Sequence, residues 1–271
     1  MSWQVAVVAV ASAGAIFGQQ ASAGVPAWGS QSSWVIEDPA GSGRQLVPEP
    51  VATSAQGRPI TALRLGPGDA ATRLVIIGQV HGNESAGVRI VRDLIHRSRE
   101  GSGLDDRSGL ATWMIASLNP DGRRTGERVN ADGVDLNRNF PASWRQEGAG
   151  TRLWSGPAPA SEPEVRGLME LLERIRPTAV VVLHQDFAVV DLTHARGRRA
   201  GRHLADLLGL PARPVGCPGK CHGTLTEWVD RELGSVALTV ELPGKVSPRQ
   251  VGRYAKALEA FATWLADGAP R

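Results

Sequence analysis

The sequence predicts an α/β protein with a mainly parallel, mixed sheet and helices on both faces. Short apolar runs alternate with segments whose apolar residues recur at helical spacing. Residues 179–183 are apolar throughout, which is typical of a strand buried on both faces of a parallel sheet, and residues 236–240 resemble a second buried strand. Because a parallel strand pair needs a crossover, and the crossover is usually a helix, this alternation indicates a sheet covered on both sides.

The elements follow in order from residue 48 onward. An apolar strand over residues 74–80 precedes a helix over residues 86–97, in which Val88 and Val91 lie on the same face as Leu94. A helix over 162–175 begins with a Glu-Pro-Glu sequence, a favourable first turn. The other predicted elements are a strand over 111–118, a strand over 179–183, a helix over 198–208, a strand over 236–240 and a helix over 247–267.

Composition limits the possible partners. The chain has 271 residues, of which 42% are hydrophobic, enough for one large α/β domain or two small ones. Its net charge of +3, from 30 basic and 27 acidic residues, is too small to indicate a nucleic-acid partner. No uninterrupted apolar run approaches the roughly 18 residues of a spanning helix, so stable membrane insertion is not expected. The oligomeric state is left open.

The N-terminal segment resembles a secretory signal peptide. No Lys or Arg precedes Arg44, residues 5–17 are small and apolar, and Ala-Ser-Ala at 21–23 resembles a cleavage site. We therefore predict a signal peptide over 1–23, an extended lead-in over 24–45, and a periplasmic or secreted protein. The basic start of a signal peptide is missing, so a first strand and a cytoplasmic location remain the alternative.

Cys217 and Cys221 are the only cysteines in the sequence. They would form a local disulfide in an exported protein, or remain two free thiols in the cytosol. A structural zinc site is a weaker interpretation, because it needs four ligands and this segment offers three with His222.

Residues with metal-binding or acid–base capacity follow the predicted strands. His81 and Glu84 come after 74–80, His184 after 179–183, and Glu241 after 236–240. In such sheets the ligand lies beyond the carboxyl ends of the strands. A catalytic zinc ion has three protein ligands and water. His184 taken singly could be an ordinary buried histidine, but the joint pattern predicts one zinc ion held by His81, Glu84 and His184.

Several blocks of sequence resemble the carboxypeptidase A-like zinc metallopeptidases. His81-Gly-Asn-Glu84 is similar to their His-x-x-Glu zinc motif, and His184 falls where the third ligand belongs. The Asn-Pro-Asp-Gly block at 119–122 and the Val-Asp-Leu-Asn-Arg-Asn-Phe-Pro block at 134–141 resemble the next two. The resemblance covers about residues 50–265 and implies a zinc peptidase catalytic domain over 46–271 with a carboxypeptidase A-like fold.

The resemblance also implies two catalytic side chains. Glu241 takes the place of the general base that accepts a proton from water and passes it to the leaving amine. Arg128 takes the place of the cation that stabilises the charge developing on the carbonyl oxygen. Arg123 and Arg124 are the alternatives, because they lie in the same short loop.

Substrate binding is assigned in the same way. Asn137 and Arg138 are implied to hold the free terminal carboxylate, for which the planar fork of arginine is suited. Thr224 lies in a loop, residues 216–228, implied to cover the pocket for the leaving residue. The only tyrosine, Tyr254, follows Glu241, whereas digestive carboxypeptidases place a mobile tyrosine before that glutamate.

Finer similarity points to the bacterial murein tripeptide amidases, which cleave the bond between γ-D-glutamate and meso-diaminopimelate. It rests on residues 128–137, 160–164 and 217–219; four extra residues after Gly219 depart from the pattern. The loop offers a mixed polar set suited to a zwitterionic side chain: Lys220, His222, Thr224, Thr226 and Glu227.

The predicted function is therefore zinc-dependent hydrolysis of a peptide amide next to a free carboxylate, with a murein-derived peptide as the substrate. The alternatives are a metallocarboxypeptidase acting on ordinary peptides and an N-acyl amino acid deacylase on the same fold. A catalytically inactive binding module is disfavoured, because all three zinc ligands and Glu241 are present.

Overall fold

The computed structural model describes residues 45–104, 109–215 and 221–268, all within one compact unit. The predicted signal peptide, residues 24–44 of the lead-in, Cys217 and Lys220 lie outside the described residues.

One mixed, seven-stranded sheet forms the centre of the protein, in the order β1-β2-β4-β3-β5-β6, with β7 also paired to β5. β1 and β2 form an antiparallel hairpin, and β2 pairs antiparallel with β4. All other pairings are parallel. The predicted mainly parallel, mixed sheet is confirmed. The strands are β1 Val47–Thr53, β2 Pro59–Leu65, β3 Thr72–Ile77, β4 Leu110–Ile115, β5 Ala179–Asp191, β6 Ala212–Arg213 and β7 Val236–Pro243.

Side-chain caps mark the start of three of the described α-helices, where Asn119, Thr224 and Ser247 each accept a hydrogen bond from a backbone N–H of the first turn. In the last helix, Ser247 and Gln250 form a reciprocal capping box and a proline follows the cap directly. Within the described ranges, no helix is long and apolar enough to cross a membrane. The α-helices are α1 Ala86–Arg99, α2 Pro120–Thr125, α3 Pro163–Ile175, α4 Arg198–Leu208, α5 Leu225–Trp228 and α6 Pro248–Ala266.

The helices cover both faces of the sheet. Along β3, Leu74 and Ile76 pack in the cluster that contains the buried faces of α1, α4 and α6. The alternate residues, Val75 and Ile77, pack in the cluster that contains α3 and α5. Both sides of a central strand are therefore apolar, which explains why its sequence shows a continuous run instead of alternation.

Two strands extend further than the apolar pattern predicts. β5 continues to Asp191 and β7 to Pro243, so His184 and Glu241 lie inside strands and not after them. The two residues are register partners on neighbouring strands. The apolar pattern stops at His184 because side chains there face the site, whereas the backbone ladder depends only on main-chain groups. β3, in contrast, ends at Ile77, which leaves His81 in a loop.

Candidate metal centre and substrate cavity

His81, Glu84 and His184 form one buried cluster. Nδ1 of His81 lies 2.7 Å from Oε1 of Glu84, and Nδ1 of His184 lies 2.9 Å from Oε2 of Glu84. The two Nδ1 atoms are 3.2 Å apart. One ligand atom from each residue lies within 4.8 Å of the others. The structure thus brings together the three predicted metal ligands from a loop and a distant strand.

The chemistry of this donor set fits a zinc ion. Nε2 of His81 lies 3.1 Å from Oδ1 of Asp135, and although burial raises the pKa of Asp135, the charges of His81 and Arg128 bring it below its usual range. An ionised carboxylate can only accept, so Nε2 donates to Asp135, and Nδ1 is the ring nitrogen that would bind a metal ion. Two imidazoles and one carboxylate are the ligand types of catalytic zinc sites.

The pKa shifts show that the cluster favours positive charge. Burial raises the pKa of Glu84, but His184 and His81 outweigh it and lower the pKa to about 2. Burial lowers the pKa of His81, but the charge of Asp135 and its hydrogen bond to the ring raise it by more. The pKa of His81 is therefore above its usual value. A buried site that stabilises imidazolium and carboxylate in this way also stabilises a bound cation.

Asp135 connects the metal ligands to the substrate side of the site. Its fully buried carboxylate also accepts from Nε and Nη2 of Arg128, at 3.0 and 2.9 Å, and from the backbone N–H of Asn137 at 3.0 Å. Asp135 lies in one of the blocks that resemble the family, but no role was predicted for it. Its position two residues before Asn137 was the available signal.

Arg128 is the arginine of its loop that reaches the cluster. Its Nη1 lies 3.1 Å from Nδ1 of His81 and 3.6 Å from Oε1 of Glu84. Arg123 and Arg124, the alternatives, are exposed and do not line the cavity formed by the described residues.

A glycine contact sets the position of the His81 turn. Gly82 does not adopt a positive φ, the common reason for a glycine in a turn. Instead, a Cβ on Gly82 would lie 2.0 Å from the carbonyl carbon of Gly122, so the turn can approach α2 only without a side chain. The N–H of Gly82 donates to the carbonyl of Arg128 at 3.2 Å.

Glu241 faces the cluster from β7. Its Oε2 is buried and has no hydrogen-bond partner among the described residues. Burial raises the pKa of Glu241, and the net shift stays upward despite the opposing charge of His184. A carboxylate with a raised pKa and an unsatisfied oxygen is suited to accept a proton.

The predicted carboxylate anchors lie in a short 3₁₀ turn, Leu136–Arg138, that Asp135 caps. Arg138 lines the cavity, and its Nη2 lies 3.7 Å from Sγ of Cys221, which is disulfide-bonded. Oδ1 of Asn137 accepts from the N–H of Leu225 at 3.0 Å, which leaves its amide donors to face an anion.

Thr224 also lines the cavity, and its hydroxyl caps α5 by accepting from the N–H of Glu227 at 3.2 Å. Gly223, which sequence reasoning missed, has a φ of 62° and would place a Cβ 2.3 Å from the carbonyl oxygen of Arg138. This close approach holds the start of α5 against the Arg138 turn.

A cavity of about 490 Å³ extends from the metal cluster along α5. Of the polar loop residues predicted to line it, Thr224, Thr226 and Glu227 do. His222 is not among the lining residues; its Nε2 lies 3.1 Å from Oε2 of Glu147. Further charged and polar residues that the sequence analysis did not assign line the same cavity: Asp191, Thr193, His194, Asp230 and Arg231.

The family model for zinc carboxypeptidases matches residues 45–196, more than half of the chain. This chain belongs to the zinc carboxypeptidase family. The fold, the metallopeptidase class and the resemblance stated from the sequence are thereby confirmed.

Relatives within this family include murein peptide amidases. Murein peptide amidase A of Escherichia coli K12 is 33% identical over 164 residues, which cover 56% of this chain and 66% of that protein, just under two thirds. The protein of the same name from Vibrio campbellii is 41% identical over 91 residues, 29% of this chain and 36% of that protein.

Solved structures show the same fold. The murein-tripeptide amidase MpaA from E. coli O157 superimposes with a TM-score of 0.64 at 28% identity, covering 80% of this chain and 92% of that one. Carboxypeptidase A from Helicoverpa armigera gives a TM-score of 0.71 at 17% identity, covering 83% and 70%. At that identity the second likeness concerns the fold alone.

Proposed function

We propose that this zinc carboxypeptidase family member hydrolyses the amide bond between γ-D-glutamate and a terminal meso-diaminopimelate in murein peptides. The observation that carries the proposal is that His81, Glu84, His184, Arg138 and Glu241 all line one cavity. A metal cluster, a proton acceptor and a carboxylate-binding arginine are thereby available to a single substrate. The similarity to murein peptide amidases supports the substrate class.

His81, Glu84 and His184 would hold the zinc ion, which when bound polarises the scissile carbonyl and lowers the pKa of water. The role of Glu241 follows from its own surroundings. Its buried, unpartnered Oε2 accepts a proton from the attacking water and then donates it to the leaving amine. The raised pKa of Glu241 makes the second transfer easier than it would be for an ordinary glutamate.

Two arginines bind different parts of the substrate, one on each side of the scissile bond. Arg128 is held by Asp135 through Nε and Nη2, so its Nη1 remains directed at the cluster and can donate to the carbonyl oxygen as charge develops. Arg138 and the amide donors of Asn137 bind the free carboxylate of the terminal residue.

The lining of the cavity favours diaminopimelate over an apolar terminal residue. Thr226, Asp230 and Arg231 contribute hydroxyl, carboxylate and guanidinium groups to the wall. An apolar side chain would desolvate these groups without replacing their hydrogen bonds, which is costly. A side chain ending in both an ammonium and a carboxylate can satisfy them. An ordinary metallocarboxypeptidase and an N-acyl amino acid deacylase are the competing functions.

The decisive experiment compares substrates with and without metal. Zinc-loaded protein is incubated with L-Ala-γ-D-Glu-meso-diaminopimelate, with peptides ending in Phe or Leu, and with N-acyl amino acids. We expect release of diaminopimelate to be fastest, to stop with a chelator and to return with zinc. Faster hydrolysis of the Phe and Leu peptides would replace the amidase proposal with an ordinary carboxypeptidase, and unchanged rates in chelator would refute a metal mechanism.

A further inference from the structure

A polar helix face lines the part of the cavity that lies along α5. α5 continues directly into a π-helical turn, Val229–Leu233. Thr226 and Asp230, four residues apart, both line the cavity. Leu225 and Trp228 face the opposite way and are buried in the core. The apolar face therefore fixes the orientation of the helix, and with it the direction of Asp230.

Besides Glu84 and Glu241, three carboxylates line the cavity. Two of them already accept hydrogen bonds from neighbouring loop residues. Oδ1 of Asp191 accepts from the backbone N–H of Thr193 at 2.9 Å and from its hydroxyl at 2.6 Å. Oε1 of Glu227 accepts from the hydroxyl of Ser143 at 2.7 Å. Both groups stabilise loops around the cavity. The third carboxylate is Asp230.

Asp230 has a buried oxygen without a donor. Among the acidic residues that line the cavity in the described part of the chain, only Glu241 and Asp230 have a buried carboxylate oxygen without a hydrogen-bond partner. The atoms are Oε2 of Glu241 and Oδ1 of Asp230. Arg196 Nε lies 3.5 Å from Oδ1, and Nδ1 of His194 lies 3.9 Å from Oδ2, close enough for charge attraction but without a hydrogen bond to the buried oxygen. The side chain of Arg196 is 54% exposed, so water screens its charge. A buried carboxylate oxygen without a hydrogen-bond donor destabilises the protein. A ligand that donates to this carboxylate removes that cost, which makes its binding more favourable.

We propose that Asp230 binds the terminal ammonium group on the side chain of the leaving residue. This inference rests on the proposed function and extends it by naming the residue that recognises the side chain of the leaving residue. Arg138 binds the α-carboxylate at one place in the cavity, and Asp230 offers an acceptor at another. An ammonium carries three donors and no acceptor, which matches the carboxylate of Asp230, whose side chain is 21% exposed and lines the cavity. Asp230 thus selects leaving residues that carry a side-chain amine, diaminopimelate among them.

The kinetic test uses three tripeptides, L-Ala-γ-D-Glu-X, in which X is meso-diaminopimelate, L-lysine or L-norleucine. Norleucine resembles lysine without the ammonium group. In Asp230→Asn we expect kcat/KM for the diaminopimelate and lysine peptides to fall on the order of 10- to 100-fold, mainly through KM, the loss expected for a charge-assisted hydrogen bond. Turnover of the norleucine peptide should not fall, because its side chain gains no hydrogen bond from the carboxylate and loses only the cost of desolvating it.

The matched control is Asp206→Asn, which removes the same charge from an exposed position on α4. It should leave all three rates unchanged. Retained norleucine turnover shows that Asp230→Asn is folded, and Asp230→Ser should give the same pattern. Equal losses on all three peptides, or an unchanged rate on the lysine peptide, would overturn the proposal.

A binding measurement separates this inference from the proposed reaction. Calorimetry with zinc-loaded protein compares free lysine and norleucine, neither of which is hydrolysed. We expect wild type to bind lysine more tightly and Asp230→Asn to bind the two alike. If no tripeptide is hydrolysed, the proposed function fails, yet a lysine preference lost in the variant still supports Asp230. Equal binding of both amino acids by wild type refutes it.

Discussion

Asp135 accepts a hydrogen bond from His81 across a separation of 54 residues, with 3.1 Å between Oδ1 and Nε2. The carboxylate has no exposure to solvent. The bond assigns the ring proton to Nε2 and so leaves Nδ1 to face Glu84 and His184. Because the same carboxylate holds Arg128, one buried charge determines both the tautomer of His81 and the direction of the Arg128 guanidinium.

Asp135→Asn is expected to weaken zinc binding about 10- to 100-fold, the usual effect of losing a carboxylate that orients a ligating histidine. An amide can accept only through one atom and cannot serve the four donors that Asp135 holds. Competition with a fluorescent chelator measures the zinc Kd. Asp132→Asn, three residues earlier and exposed, is the control and should bind zinc normally. Normal zinc affinity in Asp135→Asn would mean that the hydrogen bond does not orient His81.

Glu241→Gln is expected to keep one zinc per chain and to lower kcat roughly 100- to 10,000-fold. The amide has nearly the same size but cannot accept a proton from water. Metal analysis and steady-state kinetics on the tripeptide measure the two effects. Glu232→Gln, at an exposed position on the adjoining segment, should keep full activity. More than about a tenth of wild-type turnover in Glu241→Gln would contradict a general-base role.

Arg138→Lys is expected to raise KM for the tripeptide on the order of tenfold, because a lysine ammonium cannot make the two parallel bonds of a guanidinium. With a C-terminally amidated substrate, which wild type itself should bind poorly, the two proteins should have the same KM. Arg124→Lys, an exposed exchange of the same kind, should change neither constant. An unaltered KM for the tripeptide in Arg138→Lys would assign the anchor elsewhere.

Gly82→Ala is expected to lower the free energy of unfolding by about 1–3 kcal/mol, as overpacking commonly does, and to weaken zinc binding. The added Cβ would lie 2.0 Å from a backbone carbon of Gly122 and push the His81 turn away from α2. Denaturant unfolding of the metal-free protein measures the first effect. Gly252→Ala is the control, since its Cβ meets nothing within 4 Å and helical alanine is favourable. Equal stability of both variants would show that the contact relaxes without cost.

Glu164 predicts a pH dependence of stability away from the metal. Burial raises the pKa of this side chain, more than the hydrogen bonds from Ala55 and Asn130 lower it. An acid whose pKa is raised by folding stabilises the protein below its unfolded pKa and loses that contribution as the pH rises through its folded pKa.

The melting temperature of wild type minus that of Glu164→Gln should therefore decrease as the pH rises from the acidic range toward neutrality. Thermal unfolding in metal-free buffer at several pH values measures the difference. Glu170→Gln, exposed on the same helix, should show no such trend. An increase in the Glu164→Gln difference with pH would mean that ionised Glu164 is the stabilising form.

The sequence by itself determined the alternation of elements, because apolar spacing is a local property that each segment carries. The predicted bounds of α4 agree with the structure, and those of α1 and α3 differ at one end by one or two residues. It also predicted His81 and Glu84 as site residues from their spacing, and His184 and Glu241 from their position after apolar runs. These features depend on neighbours within a few residues.

Only the tertiary structure decided which polar groups meet. Asp135 meets His81, and Asp230 lines the cavity, because strand register and helix packing bring together segments far apart in the chain. Gly82 and Gly223 are required by backbone contacts with distant residues, which no local pattern records. The physical reason is that hydrogen bonds and steric contacts act over a few ångströms in space, whatever the separation along the chain.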